Sequence, residues 1–416
     1  MMRETMKKLV FLVALTILAT SLSGCINGIH NDPPVTPNQN TTKLEPDTKY
    51  INSTMEFSVK LFQNAYSSSE NTLVSPLSIL TALAMTTNGA DNKTLEQMEN
   101  ILSKDIPITE LNKYLHTYID SLPSIEKAKF YLANSIWIKD TGSLEIKEDF
   151  LQKNVDYFNV NVYKEPFDND TAKKINNWVK ENTNNMIKEI IDEIDDATIM
   201  YLINALAFEA QWETPFLLNN INEDIFIDIN GEKRNIQMMH STEDIYLQND
   251  KATGFIKPYA DGKYSFVAIL PNEDIDFNDY INQLDGEELS SLLKNQDDNG
   301  VLASLPKFSH EYSSSLKEIL IDLGMEDAFD ENDADFTKMA NSTKGNIFIG
   351  DVIHKTFIQV DELGTKAGAA TSVVVLEKSA KYANEIMLDR PFIYMIIDNQ
   401  YNLPIFIGTV ILFDNN

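Results

Sequence analysis

The sequence predicts a mixed α/β (α+β) domain that begins near residue 49 and runs to the C-terminus. Three observations carry this. Apolar residues at helical and at strand spacing alternate from Met55 onward. No internal repeat divides that region, and no Pro/Gly/Ser-rich break does either. The chain has 416 residues, which allows two or three domains by length alone, although large mixed folds also form one.

The N-terminus comes first. Met6-Lys7-Lys8 is basic, and Leu9 to Ala19 is an apolar run too short to span a bilayer comfortably. Leu22-Ser23-Gly24-Cys25 then has the form of a lipobox. Residues 1–24 are expected to be a removable signal, leaving Cys25 as the lipid-bearing first residue. Cys25 is the only cysteine, so no intrachain disulfide is available. The protein is expected outside the cytoplasm, anchored at the cell surface. Residues 25–48 are rich in Asn, Pro, Thr and Asp, have no hydrophobic period and read as a disordered tether. N-x-S/T sequons occur at Asn40, Asn52, Asn92, Asn169 and Asn341, a weak signal in an Asn-rich chain.

Within residues 49–416, Met55, Val59, Phe62 and Tyr66 share one helical face. Asn71 to Ser78 reads as a short strand entering a helix over residues 77–87, with Pro76 tolerated in its first turn. Phe130 to Lys139 is a strand candidate. Ala172 to Ile191 reads as an amphipathic helix whose apolar face includes Ile175, Trp178, Val179, Met186, Ile187 and Ile190. Met200–Phe208, Ser265–Leu270, Ile393–Ile397 and Ile405–Phe413 read as strands. Asn346 to Val360 reads as one extended run, with His354, Thr356, Ile358 and Val360 on a shared face.

The formal charge of -29 argues against nucleic acid or an acidic membrane surface as partner. Catalytic signatures are missing: there is no G-x-S-x-G, H-E-x-x-H, P-loop or G-x-G-x-x-G. His30, His116, His240, His310 and His354 are scattered, none at metal-ligand spacing. No enzyme activity, metal or cofactor is expected.

Several segments instead match a family pattern. They are N-T-L-V-S-P-L-S-I (Asn71–Ile79), I-N-N-W-V-K-E-N-T-N-N-M-I (Ile175–Ile187) and L-I-N-A-L-A-F-E-A-Q-W-E-T-P-F (Leu202–Phe216). L-P-K-F (Leu305–Phe308), L-G-M-E-D-A-F (Leu323–Phe329), V-I-H-K (Val352–Lys355) and L-D-R-P-F-I-Y (Leu388–Tyr394) follow. In this order and spacing the chain resembles the serpin family of serine protease inhibitors. Three departures stand out. Asn185 replaces a usual glycine, Glu209 a usual lysine and Lys366 a usual glutamate. Asn is tolerable at the first because it visits left-handed backbone. Glu209 leaves the hydrogen bonding near Trp212 open.

The resemblance implies one domain with three sheets and eight to nine helices, an exposed loop over about residues 362–387, and a monomer. It implies a polar latch of Ser75, Ser78, Asn204 and His354 beneath a five-stranded central sheet. It places Trp212 and a Lys307–Glu362 pair at the top of that sheet, where a hinge of Glu362, Gly364, Thr365, Lys366, Ala367, Gly368, Ala369, Ala370 and Thr371 begins. Apart from Glu362 and Lys366, these are small residues, which suit a strand that must enter between packed neighbours. Counting fourteen residues from Gly364 places the reactive bond at Lys378–Ser379, a lysine suited to a trypsin-like protease held as a covalent acyl complex. Two other readings stay open: a non-inhibitory serpin acting as a binding protein or chaperone, and a solute-binding lipoprotein suggested only by the lipobox and tether.

Overall fold

The computed structural model describes residues 36–38, 41–122, 124–125, 127–194, 198–365 and 384–413. Cys25, Lys366–Thr371, Lys378 and Ser379 lie outside them.

In chain order the elements that frame the site are α1 (Thr48–Ala65), β1 (Leu73–Val74), α2 (Pro76–Thr87), α3 (Ile108–Ser121), β2 (Ala128–Lys139), α4 (Glu148–Phe158), β3 (Asn161–Glu165), α5 (Asn169–Asn182) and β4 (Met200–Gln211). They continue with β5 (Ile221–Ile227), β6 (Lys233–Glu243), β7 (Ala252–Pro258), β8 (Tyr264–Pro271), β9 (Val301–Pro306) and β10 (Phe308–Ser315). The last are β11 (Ile353–Val360), β12 (Gly364–Thr365), β13 (Asn384–Met387), β14 (Phe392–Asp398) and β15 (Leu403–Val410). Nine α-helices occur among the described residues.

The central sheet runs β10-β11-β12-β4-β2, with β3 parallel on β2 and a two-residue strand at 124–125 completing its seven strands. Five of these are long and two are short, which reconciles the count with the five-stranded expectation. A second sheet runs β1-β15-β14-β8-β7 and on into two short strands, and a third runs β13-β9-β6-β5. A two-stranded sheet joins Leu144–Ile146 to Ala340–Ser342.

The local chemistry explains the main elements. Asp47 caps α1 by accepting the Tyr50 N–H, and Met55, Val59 and Phe62 are buried. Ser75 caps α2, Pro76 occupies its first turn, and this helix is apolar almost all round because it lies in the middle of the molecule. All seven residues of β14 and all eight of β15 are buried, on both sides of their sheet. A second, smaller core lies between α5 and the central sheet. It is built from Ile175, Trp178 and Val179 of the helix, Trp137 and Ile203 of the strands, and Ile187, Ile190 and Ile191.

Three sequence expectations need correction. The helix expected over Ala172–Ile191 ends at Asn182. Asn184 and Asn185 take φ +50° and +60°, a left-handed exit that turns the chain while leaving Met186, Ile187 and Ile190 buried. The extended run expected from Asn346 is strand only from Ile353. Its earlier part is held by single contacts, such as Ile349 N–H to Ala328 O. Finally, residues 36–38 and 41–47, read as tether, are pinned to the domain by polar contacts although none is buried. Asn38 makes two bonds to Asp156 (2.8 and 2.7 Å), Gln152 donates to the Thr36 carbonyl, Lys43 pairs with Asp120 and Tyr114 donates to Asp47. These anchors on α3 and α4 are polar, so a search for hydrophobic period passes over them.

Candidate functional site

The site is a turn between two strands of the central sheet. β11 ends at Val360, Asp361 to Leu363 reverse the chain, and Gly364 and Thr365 return antiparallel as β12. Gly364 pairs with Gln211 and Thr365 with Ala210 of β4, while Thr365 faces Val360 of β11. The hinge thus already occupies two ladder positions on β4 and one on β11. Its glycine is required by close approach: a Cβ there would collide with the Ala210 carbonyl oxygen and stand 2.9 Å from Gln211 Cα.

Asp361 closes the turn. Its Oδ1 accepts from Leu363 N–H (2.8 Å) and Gly364 N–H (3.2 Å), and its own N–H donates to Gly364 O (3.0 Å). Burial pushes the Asp361 carboxyl up from its ordinary range. The Asp361 carbonyl accepts the indole N–H of Trp212 at 2.9 Å. Trp212 N–H donates to Leu363 O and Phe216 N–H to Glu362 O, both at 2.9 Å. The chain following β4 therefore clasps the turn on three backbone oxygens.

Behind the turn, Trp212 is 1% exposed and stacks on Tyr259 with centroids 4.7 Å apart and planes 7° from parallel. The Tyr259 hydroxyl lies 2.5 Å from Thr365 Oγ1, and burial raises the phenol's pKa, keeping it neutral. Thr365 is 2% exposed, so its side chain points into the core. At the surface, Lys307 Nζ meets Glu362 Oε2 at 2.6 Å with side chains 26% and 24% exposed. Burial is the largest influence and raises the Glu362 pKa, but the Lys307 bond, the residue's own backbone N–H and the Lys307 charge together outweigh it, and the carboxyl is held below its usual range.

A second polar cluster lies lower in the sheet, at the N-terminus of α2. Ser75 N–H donates to His354 Nε2 (3.1 Å), Ser75 Oγ donates to Ile405 O (2.8 Å), and Ser78 N–H donates to Ser75 Oγ (3.3 Å). Ser78 Oγ donates to Asn204 Oδ1, and the Asn204 amide donates to Asn134 Oδ1 at 2.7 Å. Burial lowers the His354 pKa to about 3. The ring is therefore neutral, with its proton on Nδ1 because Nε2 accepts. Asn204 on β4 and His354 on β11 are joined through the two serines of α2.

The structure brings Ser75, Ser78, Asn204 and His354 into one cluster and Trp212, Lys307, Glu362, Gly364 and Thr365 into another. Glu209 stands apart from Trp212 and accepts from Tyr131 and Asn184 at 3.3 Å. Sequence reasoning missed Asn134, Thr356 (whose hydroxyl donates to Leu73 O at 2.8 Å), Tyr259 and Asp361. Thr356 was legible as an alternate member of the His354 face. Asn134 on β2 and Tyr259 just past β7 are distant in sequence, and nothing in their local sequence marks them. Among the described residues no group of three or more His, Cys, Asp or Glu could hold a metal ion, and no helix is long and apolar enough to cross a membrane.

Comparison with known proteins agrees with this geometry. A family model described as "Serpin (serine protease inhibitor)" matches residues 52–412. An uncharacterised serpin-like protein of Thermococcus kodakarensis is 31% identical, with 97% of this chain and 98% of that protein covered. The crystal structure of the thermophilic serpin tengpin in the native state superposes with a TM-score of 0.87 at 49% identity, covering 92% of this chain and 98% of that one. Tengpin in the latent state gives 0.82 at 50% identity, covering 90% of this chain and 100% of that one. The chain belongs to the serpin family.

Proposed function

We propose that this serpin inhibits a serine protease as a suicide substrate, by inserting its reactive loop into the central sheet after cleavage at Lys378–Ser379. Membership of the family supports protease inhibition in general. The observation that carries the finer reading is the hinge, where Gly364 and Thr365 pair between β4 and β11 and the residues that follow, Ala367 to Ser372, are all small. A strand already begun between two neighbours can lengthen without a new nucleus. About a dozen further ladder bonds at roughly 1 kcal/mol net each would drive it. A fourteen-residue strand would carry an attached protease roughly 45 Å. Before cleavage the chain would be kinetically trapped.

The chemistry is acyl transfer. The protease serine attacks the Lys378 carbonyl, the Ser379 amine leaves with the proton, and the acyl ester remains because the enzyme is displaced before water arrives. Lysine at this position suits a specificity pocket that carries a carboxylate. Incubation with trypsin is expected to give an SDS-stable adduct joined at Lys378. Cleaved chain without adduct would favour the non-inhibitory reading. Lipid attachment at Cys25 and a cell-surface location are separate proposals, supported by the lipobox. Cys25→Ser is expected to release the protein from membranes, and unchanged retention would exclude it.

A further inference from the structure

The buried pair Lys257–Glu243 has no part in the hinge chemistry above. Lys257 lies on β7 with a side chain 2% exposed, and Glu243 ends β6 with a side chain 6% exposed. Lys257 Nζ donates to Glu243 Oε1 at 2.7 Å and to Thr214 O at 3.1 Å. It stands 4.3 Å from the Phe216 ring centroid and 5.5 Å from that of Trp212. Ser241 Oγ donates to the same carboxylate oxygen at 2.5 Å, which fixes its orientation. Two aromatic rings would accept an apolar side chain here, so stability alone does not call for two buried charges.

The position of the pair gives it a use. On one side, Trp212 and Phe216 are the residues whose N–H groups hold the carbonyls of Leu363 and Glu362. Tyr259, two residues beyond Lys257 on the same chain, stacks on Trp212 and bonds Thr365. On the other side, Glu243 faces Val301 of β9, and Val301 faces Asn384, the first residue of β13. One ammonium thus stands at the junction between the hinge and β13, the two described ends that flank residues 366–383.

We propose that Lys257 and Glu243 are positioning residues that couple the hinge to β13, so that loosening either end of the intervening loop loosens the other. The ammonium bridges backbone of the segment following β4 to a side chain of the third sheet. Removing one charge leaves the other buried and uncompensated, and both attachments shift to rehydrate it. The coupling is a property of the uncleaved fold. Its consequence, control over when β13 leaves its sheet and the loop inserts uncut, rests on the inhibitory reading above.

The test is hydrogen–deuterium exchange in the intact, uncleaved chain, read at residues 361–365 and 384–387. Glu243→Gln and Lys257→Met are each expected to speed exchange about tenfold or more in both segments, as a local opening would. The double variant Lys257→Met/Glu243→Leu, which buries no charge, is expected to return both toward the wild-type rate. Val179→Ala, in the separate core under α5, serves as the control for general destabilisation and is expected to leave both segments unchanged. Faster exchange at one segment only, an equal rise in Val179→Ala, or a double variant as fast as the singles would overturn the coupling. If Lys257→Met does not fold, Glu243→Gln carries the same comparison. Failure to trap trypsin would refute the inhibitory reading without touching this result. Normal trapping with independent segments would refute the coupling alone.

Discussion

Gly364 runs against Ala210 with no room for a side chain, since an added Cβ would collide with the Ala210 carbonyl oxygen. The first ladder position of β12 therefore depends on a missing atom. Gly364→Ala is expected to unpair β12 and cost about 1–3 kcal/mol, as overpacking does. Urea denaturation measures the loss, and amide exchange at Leu363 to Thr365 locates it. A full-strength β12 in the variant would contradict the close-approach argument.

Thr365 faces Tyr259 from a buried position. Thr365→Arg places a long cation where only a hydroxyl fits, and leaving that cation buried without a partner is costly. The expected outcome is a chain that is still cut by trypsin but yields mostly cleaved product and little adduct. Gel densitometry gives the ratio.

The Lys307–Glu362 pair is about a quarter exposed, so solvent screens it. Lys307→Ala is expected to cost no more than about 1 kcal/mol at neutral pH. Glu362 is held below its ordinary pKa of 4.5. Its contribution is therefore complete above that value and disappears as pH falls through the folded pKa. The stability difference between wild type and Lys307→Ala should shrink on moving from pH 7 to pH 3, measured in urea.

His354 is buried and His310 partly buried, with pKa values lowered by burial to about 3 and about 4. Each stays neutral in the fold, whereas the unfolded chain takes up a proton near the ordinary value of 6.5. Stability is thus complete above pH 6.5 and falls as pH drops toward 4 and 3, by roughly 1.4 kcal/mol per unit for each ring. His354→Gln keeps an acceptor for the Ser75 N–H and cannot titrate. It is expected to lessen the slope by about one ring's share, and an unchanged slope would show that His354 is not the titrating group.

The polar latch was named through the family resemblance, and local patterns marked only the places of two of its members. Ser75 precedes Pro76 at a helix start, and His354 falls on an alternating strand face. The departure at Asn185 was legible too, since its side chain tolerates the φ of +60° found there. The length of α5 was not, because apolar spacing continued to Ile191 and hid the left-handed turn at Asn184 and Asn185. The anchoring of residues 36–38 and 41–47 was hidden for the opposite reason, being made of amide, carboxylate and ammonium contacts without an apolar stripe. Lys257 lies on β7 and Tyr259 just past its end, far in sequence from the hinge. Their role follows from where the second sheet brings β7, which local composition does not specify.

The central claim is that the hinge continues into the sheet once the loop is cut. Thermal unfolding of the intact chain and of the chain nicked at Lys378–Ser379 tests it most directly, with both fragments retained. The expected result is a large rise in the unfolding midpoint of the nicked form, because the new strand completes the ladder between β4 and β11. An unchanged or lower midpoint would mean that Gly364 and Thr365 start a strand that goes no further, and the inhibitory mechanism would fall with it.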